Sequence, residues 1–189
     1  MEADIGRAVP GEVLYRRFLA GDRESFESLV EMYEDGLYAF IYGMVHDHHE
    51  ARHLTIEAFA ELALGSAKYA ERSSLKTYLY GIAKNLSRRY LKKRGKEKHI
   101  SFEEIVEGPE DGGTSGGFVE QSDNKEWVNN AMQCLKGDYR TVLALLYYED
   151  MSYRDAGKVM RKSEGQIKLL AQRARGALKK ELINNGYTQ

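Results

Sequence analysis

Cysteine, proline and long hydrophobic runs are scarce in this 189-residue sequence. The single cysteine excludes a disulfide framework, and Cys134 falls in an apolar rhythm with Ala131 and Leu135 that predicts a small buried side chain. Two prolines and little alternation of Val, Ile and Thr favour helices throughout. No window approaches the roughly 18 apolar residues of a membrane span, and the first residues lack the apolar core of a secretion signal. We therefore expect an all-α cytoplasmic protein with no membrane insertion.

The charges nearly cancel, with a net charge of −1, but they are segregated along the chain. Residues 65–99 hold 11 basic and 2 acidic residues, and residues 154–180 hold 9 and 2. Residues 100–126, between these two blocks, hold 1 and 8. Solubility alone favours mixed signs, so two basic blocks indicate two polyanion-binding surfaces. Two solvated helix faces are the alternative.

Helical periodicity runs through two parts of the chain and fails between them. Over residues 12–94 apolar positions recur at spacings of three and four, with a break near Gly21 and serines in "RSS" placed to cap the last helix. Residues 95–124 are acidic and Gly-rich, as in linkers. Periodicity resumes over residues 125–184. The sequence thus predicts two small helical domains joined by a flexible acidic linker.

The second domain ends in a predicted short helix from Tyr153 to Met160, a tight turn over residues 161–163 and a longer basic helix. This is the helix-turn-helix layout, in which the second helix enters the major groove of DNA. Ser163 is placed to cap that helix and to direct its positive end at a phosphate. The side chains left outside the apolar stripe can hold phosphates or read base edges, namely Gln166, Lys168, Gln172, Arg173 and Arg175. The alternative is a solvated helix that closes a small bundle.

The stretch "SLKTYLYGIAKNLSRRYLKKR" predicts a helix with two kinds of face. Its apolar positions form one stripe at 100° per residue, made of Leu75, Leu79, Ile82, Leu86 and Tyr90. Polar and basic side chains lie to one side of the stripe, namely Asn85, Arg88, Arg89 and Lys92. An aromatic ring beside cations suits single-stranded DNA, because an unstacked base can lie on the ring. Tyr78, at the border of the two faces, can supply that ring or be an ordinary core residue.

Both domains resemble one family. The C-terminal motifs Glu149-Asp150, Ser152-Tyr153, Asp155, "SEGQIK" and Arg173-Ala174-Arg175 are similar to the promoter-binding domain of the extracytoplasmic-function (ECF) sigma factors of bacterial RNA polymerase, a branch of the sigma-70 family. "SSLKTYLYGIAKNLSRRYLKKR" resembles that family's Phe-x-x-Trp-Leu-x-x-Ile-Ala-Arg-Asn signature, with Tyr78 in the tryptophan place and Lys84-Asn85 for Arg-Asn. The resemblance covers about residues 12–94 and 125–183. It implies a sigma factor. No catalytic constellation appears in the sequence, so neither an enzyme nor a cofactor is expected.

The resemblance also implies the roles of the two domains. Residues 12–94 would bind core polymerase and melted −10 DNA, with Asn85 and the loop over residues 69–74 capturing a base. The −10 set is Ser73, Lys76, Tyr78, Lys84, Asn85, Arg88, Arg89 and Lys92, joined on the DNA backbone by Lys93. Residues 125–184 would read −35 duplex DNA through Ser163, Gly165, Gln166, Lys168, Leu169, Gln172, Arg173 and Arg175. The linker would cross the polymerase interior, or serve as a plain spacer.

One helix departs from the family pattern. The clamp-docking helix typically reads Asp-Ala-Glu-Asp-Leu-x-Gln-Glu-x-Phe, and here it reads "EARHLTIEAF". The polymerase-binding set is then Glu50, Arg52, His53, Leu54, Ile56 and Glu57, in which Arg52 and His53 replace acids. Reversed charge weakens docking, so the alternative is a sigma-like helix-turn-helix regulator or adaptor that does not load core polymerase in the usual way. His49, His53 and Glu57 share one helix face but supply too few oriented ligands, so no metal is expected.

The partners that follow from the resemblance are core RNA polymerase, through its β′ clamp and β flap, and promoter DNA. An anti-sigma protein is a further partner that the resemblance admits.

Overall fold

The computed structural model describes residues 10–65, 69–97 and 123–185, and every regular element within these ranges is helical. The first domain contains α1 (Gly11–Leu19), α2 (Arg23–Val45), α3 (His48–Ala63) and α4 (Leu75–Glu97). The second contains α5 (Asp123–Gln133), α6 (Gly137–Leu143), a π-helical turn (Ala144–Tyr148), α7 (Tyr153–Met160) and α8 (Glu164–Asn184). The predicted all-α class with two helical domains is confirmed. Most of the predicted linker, residues 98–122, lies outside the described ranges.

None of the helices in the described ranges combines the length and the apolar character that crossing a membrane requires.

Short polar side chains set where helices of the first domain begin. The Oδ1 atom of Asp22 accepts the backbone N–H of Ser25 at 3.3 Å at the start of α2. The hydroxyl of Ser74 accepts the backbone N–H of Thr77 at 3.1 Å at the start of α4. Each bond satisfies one of the N–H groups that a first helical turn leaves without an intrahelical partner. The break near Gly21 and the serine cap are therefore confirmed.

The apolar stripe predicted for α4 faces the core. Leu75 and Leu79 are 0% exposed, Ile82 is 5% exposed and Leu86 is 2% exposed, while Tyr90 is half-buried at the edge. α4 packs against α2 and α3. Burial of each such side chain contributes about 1.5–3 kcal/mol, and this packing fixes which face α4 presents outward.

The helix-turn-helix has the predicted bounds. Arg161 ends α7 with a left-handed backbone at φ 54°, and the backbone N–H of Lys162 donates to the carbonyl of Gly157 at 2.9 Å. A Cβ atom on Gly157 would lie 2.7 Å from the carbonyl oxygen of Lys162. Glycine is required there because the turn passes too close for any side chain.

The predicted burial of Cys134 is wrong. Helix α5 ends at Gln133, and Cys134 is exposed in the turn that follows. The inward positions are Ala131, Met132 and Leu135, which are 0%, 8% and 4% exposed. The periodicity behind the prediction does not reach Cys134, because the helix stops one residue before it.

The two domains pack on each other, which the sequence did not predict. Helix α7 lies against α4, and α6 lies against α2. The buried side chains of both domains form one continuous hydrophobic cluster. The contact matters for function because α4 carries one of the two basic blocks.

Candidate nucleic-acid interface

The N-terminal end of α8 is held by a reciprocal pair of hydrogen bonds. The hydroxyl of Ser163 accepts the backbone N–H of Gln166 at 3.2 Å, and the backbone N–H of Ser163 donates to Oε1 of Gln166 at 2.8 Å. This capping box fixes the first turn, whose positive end suits an anion. The amide oxygen of Gln166 is thereby engaged, so its NH₂ group is the part left to meet a base edge.

All of the predicted −35 side chains lie on the exposed surface of α8. The opposite face is buried, with Ile167, Ala171 and Ala174 each 0% exposed. The exposed positions are Ser163, Gly165, Gln166, Lys168, Leu169, Gln172, Arg173 and Arg175. Leu169 is 48% exposed, which is unusual for a leucine and leaves it available to a thymine methyl or to a protein. The structure therefore brings these positions together on a single rigid helix.

Two cations of α8 have partners within the protein. The Nζ atom of Lys168 lies 2.7 Å from Oε1 of Glu164, which raises the pKa of the lysine and lowers the pKa of the glutamate. The Nη1 atom of Arg175 donates to the hydroxyl of Tyr147 at 3.0 Å. Both lysine and arginine remain solvent-exposed, and such exposed contacts are weak. A phosphate can therefore displace them at little cost.

Helix α4 divides the predicted −10 residues into an exposed group and a covered group. Asn85, Arg88, Arg89 and Lys92 are exposed. The Nη2 atom of Arg89 lies 3.3 Å from Glu57 and 3.0 Å from Glu61, both on α3. The exposed group forms a polar and basic ridge beside α3, as the helical spacing predicts.

Lys84 belongs to the covered group. It is only 6% exposed, and its Nζ atom donates to the carbonyl oxygen of Val159 on α7 at 3.4 Å. Burial lowers the pKa of Lys84 to about 8, and the nearby charges of Arg88, Lys162 and Arg161 act in the same direction. Asp138 opposes this shift. In this conformation Lys84 is closed to a DNA phosphate.

Lys76 also meets the second domain. Its Nζ atom lies 2.9 Å from Oε2 of Glu149 and 2.9 Å from the backbone oxygen of the same residue. The ammonium lies 5.7 Å from the centre of the Tyr80 ring, within the range of a cation–π contact. The side chain of Glu149 is 9% exposed, so the ion pair is largely withdrawn from water.

Tyr78 stands between the core and the loop that precedes α4. Its ring lies 5.2 Å from the ring of Tyr69, and the hydroxyl of Tyr69 donates to the backbone oxygen of Ser73 at 2.6 Å. The buried hydroxyl of Tyr78 finds no hydrogen-bond partner among the described residues, and burial raises its pKa. Two tyrosines thus shape the loop over residues 69–74. Tyr78 is half-buried, so it packs in the core and also lies at the edge of the polar face of α4.

The predicted polymerase-binding residues on α3 do not share one environment. Arg52, His53 and Ile56 are exposed, and Ile56 is 64% exposed. Glu50 and Glu57 are half-buried. Leu54 is 4% exposed and belongs to the hydrophobic core, so its side chain positions α3 rather than facing outward. The outward face of α3 therefore carries Arg52, His53 and Ile56.

Sequence reasoning missed the residues that join the domains. Arg140 donates to the carbonyl oxygens of Gly43 at 2.9 Å and Leu135 at 2.9 Å, which links the end of α2 to the turn after α5. Burial lowers the pKa of Arg140 to about 10. Lys158 donates to the carbonyl oxygen of Arg72 at 3.3 Å. Arg140 and Lys158 fall in ordinary amphipathic patterns, so no sequence signal separates them from the other cations of the two domains.

Comparison with known proteins assigns both domains. Residues 29–97 match the family model of Sigma-70 region 2, and residues 125–178 match that of Sigma-70, region 4. Over 169 residues the chain is 30% identical to the ECF RNA polymerase sigma factor SigM of Bacillus subtilis, covering 86% of this chain and 97% of the relative. It is 30% identical over 177 residues to the RNA polymerase sigma-H factor of Pseudomonas aeruginosa, covering 89% and 92%.

Solved structures agree on the fold. The sigma factor RpoE of Bartonella quintana, in complex with the anti-sigma factor NepR, matches with a TM-score of 0.69 and 22% identity over 87% of this chain and 99% of that one. CnrH in complex with the cytosolic domain of CnrY matches with a TM-score of 0.66 and 15% identity, over 94% and 99%. With the two sigma-70 regions in order and a relative matched along nearly its whole length, the chain belongs to the ECF RNA polymerase sigma factors, which direct RNA polymerase to specific promoters.

Proposed function

We propose that this sigma factor reads −35 duplex DNA with the exposed face of α8 and captures melted −10 DNA with α4 and the loop over residues 69–74. The observation that carries the proposal is the pairing of two exposed basic faces, each on a helix whose opposite face is buried. A capped, rigid helix suits the major groove. A basic helix beside aromatic rings suits an unpaired strand. The division of the chain into residues 12–94, a linker over 95–124 and residues 125–184 is part of the same proposal.

On α8 the roles follow from chemistry and position. Arg173 and Arg175 hold backbone phosphates or a guanine edge, because the guanidinium fork fits both. Gln172 meets an adenine edge, and Leu169 contacts a thymine methyl. The capped first turn, with Ser163 and the exposed backbone at Gly165, points its N–H groups at a phosphate. Gln166 and Lys168 complete the surface from the same face.

On α4 the exposed ridge makes the first contacts with the melted strand. Asn85 hydrogen-bonds a flipped base, while Arg88, Arg89 and Lys92 follow the strand backbone, joined by Lys93 from the next exposed position. Extruding a base costs a few kcal/mol, and the rings of Tyr78 and Tyr69 at the loop return part of that energy through stacking. Ser73 lies in the same loop. Lys76 and Lys84 reach the backbone only when the second domain withdraws from them.

Two variants separate the two DNA contacts in a holoenzyme reconstituted from host core polymerase and the full chain. Arg173→Ala should weaken protection of the −35 element by roughly 5- to 150-fold in apparent affinity, since a guanine or phosphate contact contributes about 1–3 kcal/mol. Asn85→Ala should retain −35 protection and lose permanganate reactivity of −10 thymines. Lys179→Ala, an exposed change on α8 outside the predicted set, is the matched control. Normal −10 melting by Asn85→Ala would remove Asn85 from base capture.

A second function is favoured by the outward face of α3. That face presents Arg52, His53 and Ile56, two of which stand where the family pattern has acids. The corresponding proposal is a sigma-like regulator or adaptor that binds DNA and does not load core polymerase in the usual way. Co-purification with host core polymerase distinguishes the two functions. If wild type fails to bind core and Arg52→Glu with His53→Asp restores binding, the second function is supported and the altered helix is its cause.

The partners of solved relatives suggest one partner for this chain. RpoE and CnrH were each solved with a second protein, NepR and the cytosolic domain of CnrY. We extend this to an anti-sigma protein for the present chain, acting on it in the cytoplasm. Affinity purification of the tagged chain from its host would test this, with samples taken before and after the promoters that it serves are induced. An inhibitory partner should co-purify with the chain only before induction.

A further inference from the structure

The second domain occupies both covered lysines of α4. A carboxylate of Glu149 sits 2.9 Å from the ammonium of Lys76, and the backbone oxygen of Glu149 sits equally close. The carbonyl of Val159 accepts from Lys84 at 3.4 Å. Both lysines belong to the proposed −10 surface and would otherwise meet phosphate oxygens, so protein oxygens occupy the positions expected for DNA oxygens.

The loop beside α4 is held by the same domain. Lys158 on α7 donates to the backbone oxygen of Arg72 at 3.3 Å. Arg140 on α6 donates to the carbonyl of Gly43 on α2 at 2.9 Å, a second attachment away from α4. The second domain therefore touches the helix and the loop that the proposed function assigns to the melted strand.

Glu149 is seated in a slot that α2 provides. A Cβ atom built on Gly36 would lie 3.0 Å from Oε1 of Glu149 and 2.7 Å from the hydroxyl of Tyr80. Tyr80 is 1% exposed and hydrogen-bonds Glu149. The absence of a side chain at Gly36 is thus what lets the carboxylate and the phenol lie against the helix. The slot receives an acid from the second domain between Gly36, Lys76 and Tyr80.

We propose that Glu149 is an autoinhibitory latch, which seats the second domain on α4 and the adjoining loop so that both must be released before −10 DNA can be captured. The inference rests on the proposed function of α4. A carboxylate and a phosphate compete for one ammonium, and Lys76 cannot satisfy both while Glu149 is in its slot.

The closed arrangement is also poised to open. It buries Lys84 near the like charges of Arg88, Arg161 and Lys162, with Asp138 as the opposing charge. Bringing like charges together opposes closure. The attraction between Glu149 and Lys76 must therefore offset the repulsion around Lys84 in the same domain contact. Loss of the latch should therefore release the domain rather than leave it in place.

Two variants of the full chain test the latch in different ways. Glu149→Gln removes the charge and keeps the shape, whereas Gly36→Ala fills the slot and changes no charge. Glu27→Gln, an exposed change on α2, is the matched control for lost negative charge. Dyes at Leu19→Cys and Ile183→Cys in a Cys134→Ser background report the distance between the domains, since both positions are exposed, at 63% and 56%. Circular dichroism checks that each variant keeps its helices.

Both latch variants should lower energy transfer between the dyes and bind a single-stranded −10 oligonucleotide about fivefold or more tightly than wild type. The control should change neither value. Unchanged energy transfer in both variants would overturn the latch. If energy transfer falls in both while oligonucleotide affinity stays at the wild-type value, the domain contact depends on Glu149 as proposed, and the assignment of α4 to −10 DNA is what fails.

Discussion

The ammonium nitrogen of Lys84 lies 3.4 Å from the carbonyl oxygen of Val159, so a lysine of the first domain is buried beneath a helix of the second. Helix α4 is therefore two surfaces in one. Its exposed ridge faces solvent, and its covered part forms the contact between the domains. Stability and DNA binding are linked through this helix. A change that strengthens the contact between the domains keeps the covered lysines from DNA, and a change that weakens the contact frees them.

Replacing Lys84 should stabilise the protein. At neutral pH the buried ammonium keeps its charge at a cost, since burial lowers its pKa to about 8. Lys84→Met keeps the apolar stem and removes that charge, and we expect the free energy of unfolding at pH 7 to rise by about 1–3 kcal/mol. Urea denaturation measures it. Arg88→Met, at an exposed position one turn along α4, should change stability much less; equal effects would contradict the burial of Lys84.

The same group predicts how stability depends on pH. The pKa of Lys84 is about 8 in the folded protein and 10.5 ordinarily. Between these values the unfolded chain holds a proton that the folded chain has lost, so stability rises with pH. Below about pH 8 both states are protonated and the cost is complete. Unfolding free energies at pH 7.5 and 9.5 should rise more for wild type than for Lys84→Met, and parallel slopes would show that Lys84 does not titrate as stated.

Ser163 should contribute to stability through its hydroxyl alone. Ser163→Ala removes the acceptor for the backbone N–H of Gln166 and should cost about 1 kcal/mol. Ser163→Thr keeps the hydroxyl and should lose much less. Thermal unfolding followed by circular dichroism gives both values. An alanine variant as stable as wild type would mean that the capping box does not hold the end of α8.

Gly157 should be intolerant of a side chain. Its Cβ would lie 2.7 Å from the backbone oxygen of Lys162, so Gly157→Ala should lower the free energy of unfolding by about 1–3 kcal/mol. Gly176→Ala is the matched control on α8, where a Cβ meets nothing within 4 Å. The control should leave stability unchanged or raise it by up to about 1 kcal/mol, because alanine favours a helix. Urea midpoints compare the two, and similar losses would contradict the close turn.

Local patterns predicted each helix face well. The buried stripe from Leu75 to Leu86 follows from spacing, because a helix repeats every 3.6 residues whatever lies elsewhere in the chain. The break near Gly21 and the serine caps follow from side-chain chemistry that acts over three residues. Cys134 shows where this reasoning ends, since one residue past the end of α5 the period no longer applies.

Contacts between distant segments could not be predicted in this way. Lys84 and Val159 are 75 positions apart, and Lys76 and Glu149 are 73 apart. The family resemblance placed Lys84 on the DNA backbone, whereas its burial depends on a helix from the other domain. Glu149 had a place in a family motif, but its slot beside Gly36 exists only in the folded chain.

The most direct test of the account is promoter-dependent transcription by host core polymerase supplemented with the purified full chain. Run-off transcripts should appear only when the chain is added, from a promoter selected by mapping transcripts after its overexpression. They should fall when either the −35 or the −10 element is replaced. A sigma factor that directs core polymerase to this promoter gives both results. Failure of the chain to bind core polymerase, together with no promoter-specific transcript, would contradict it.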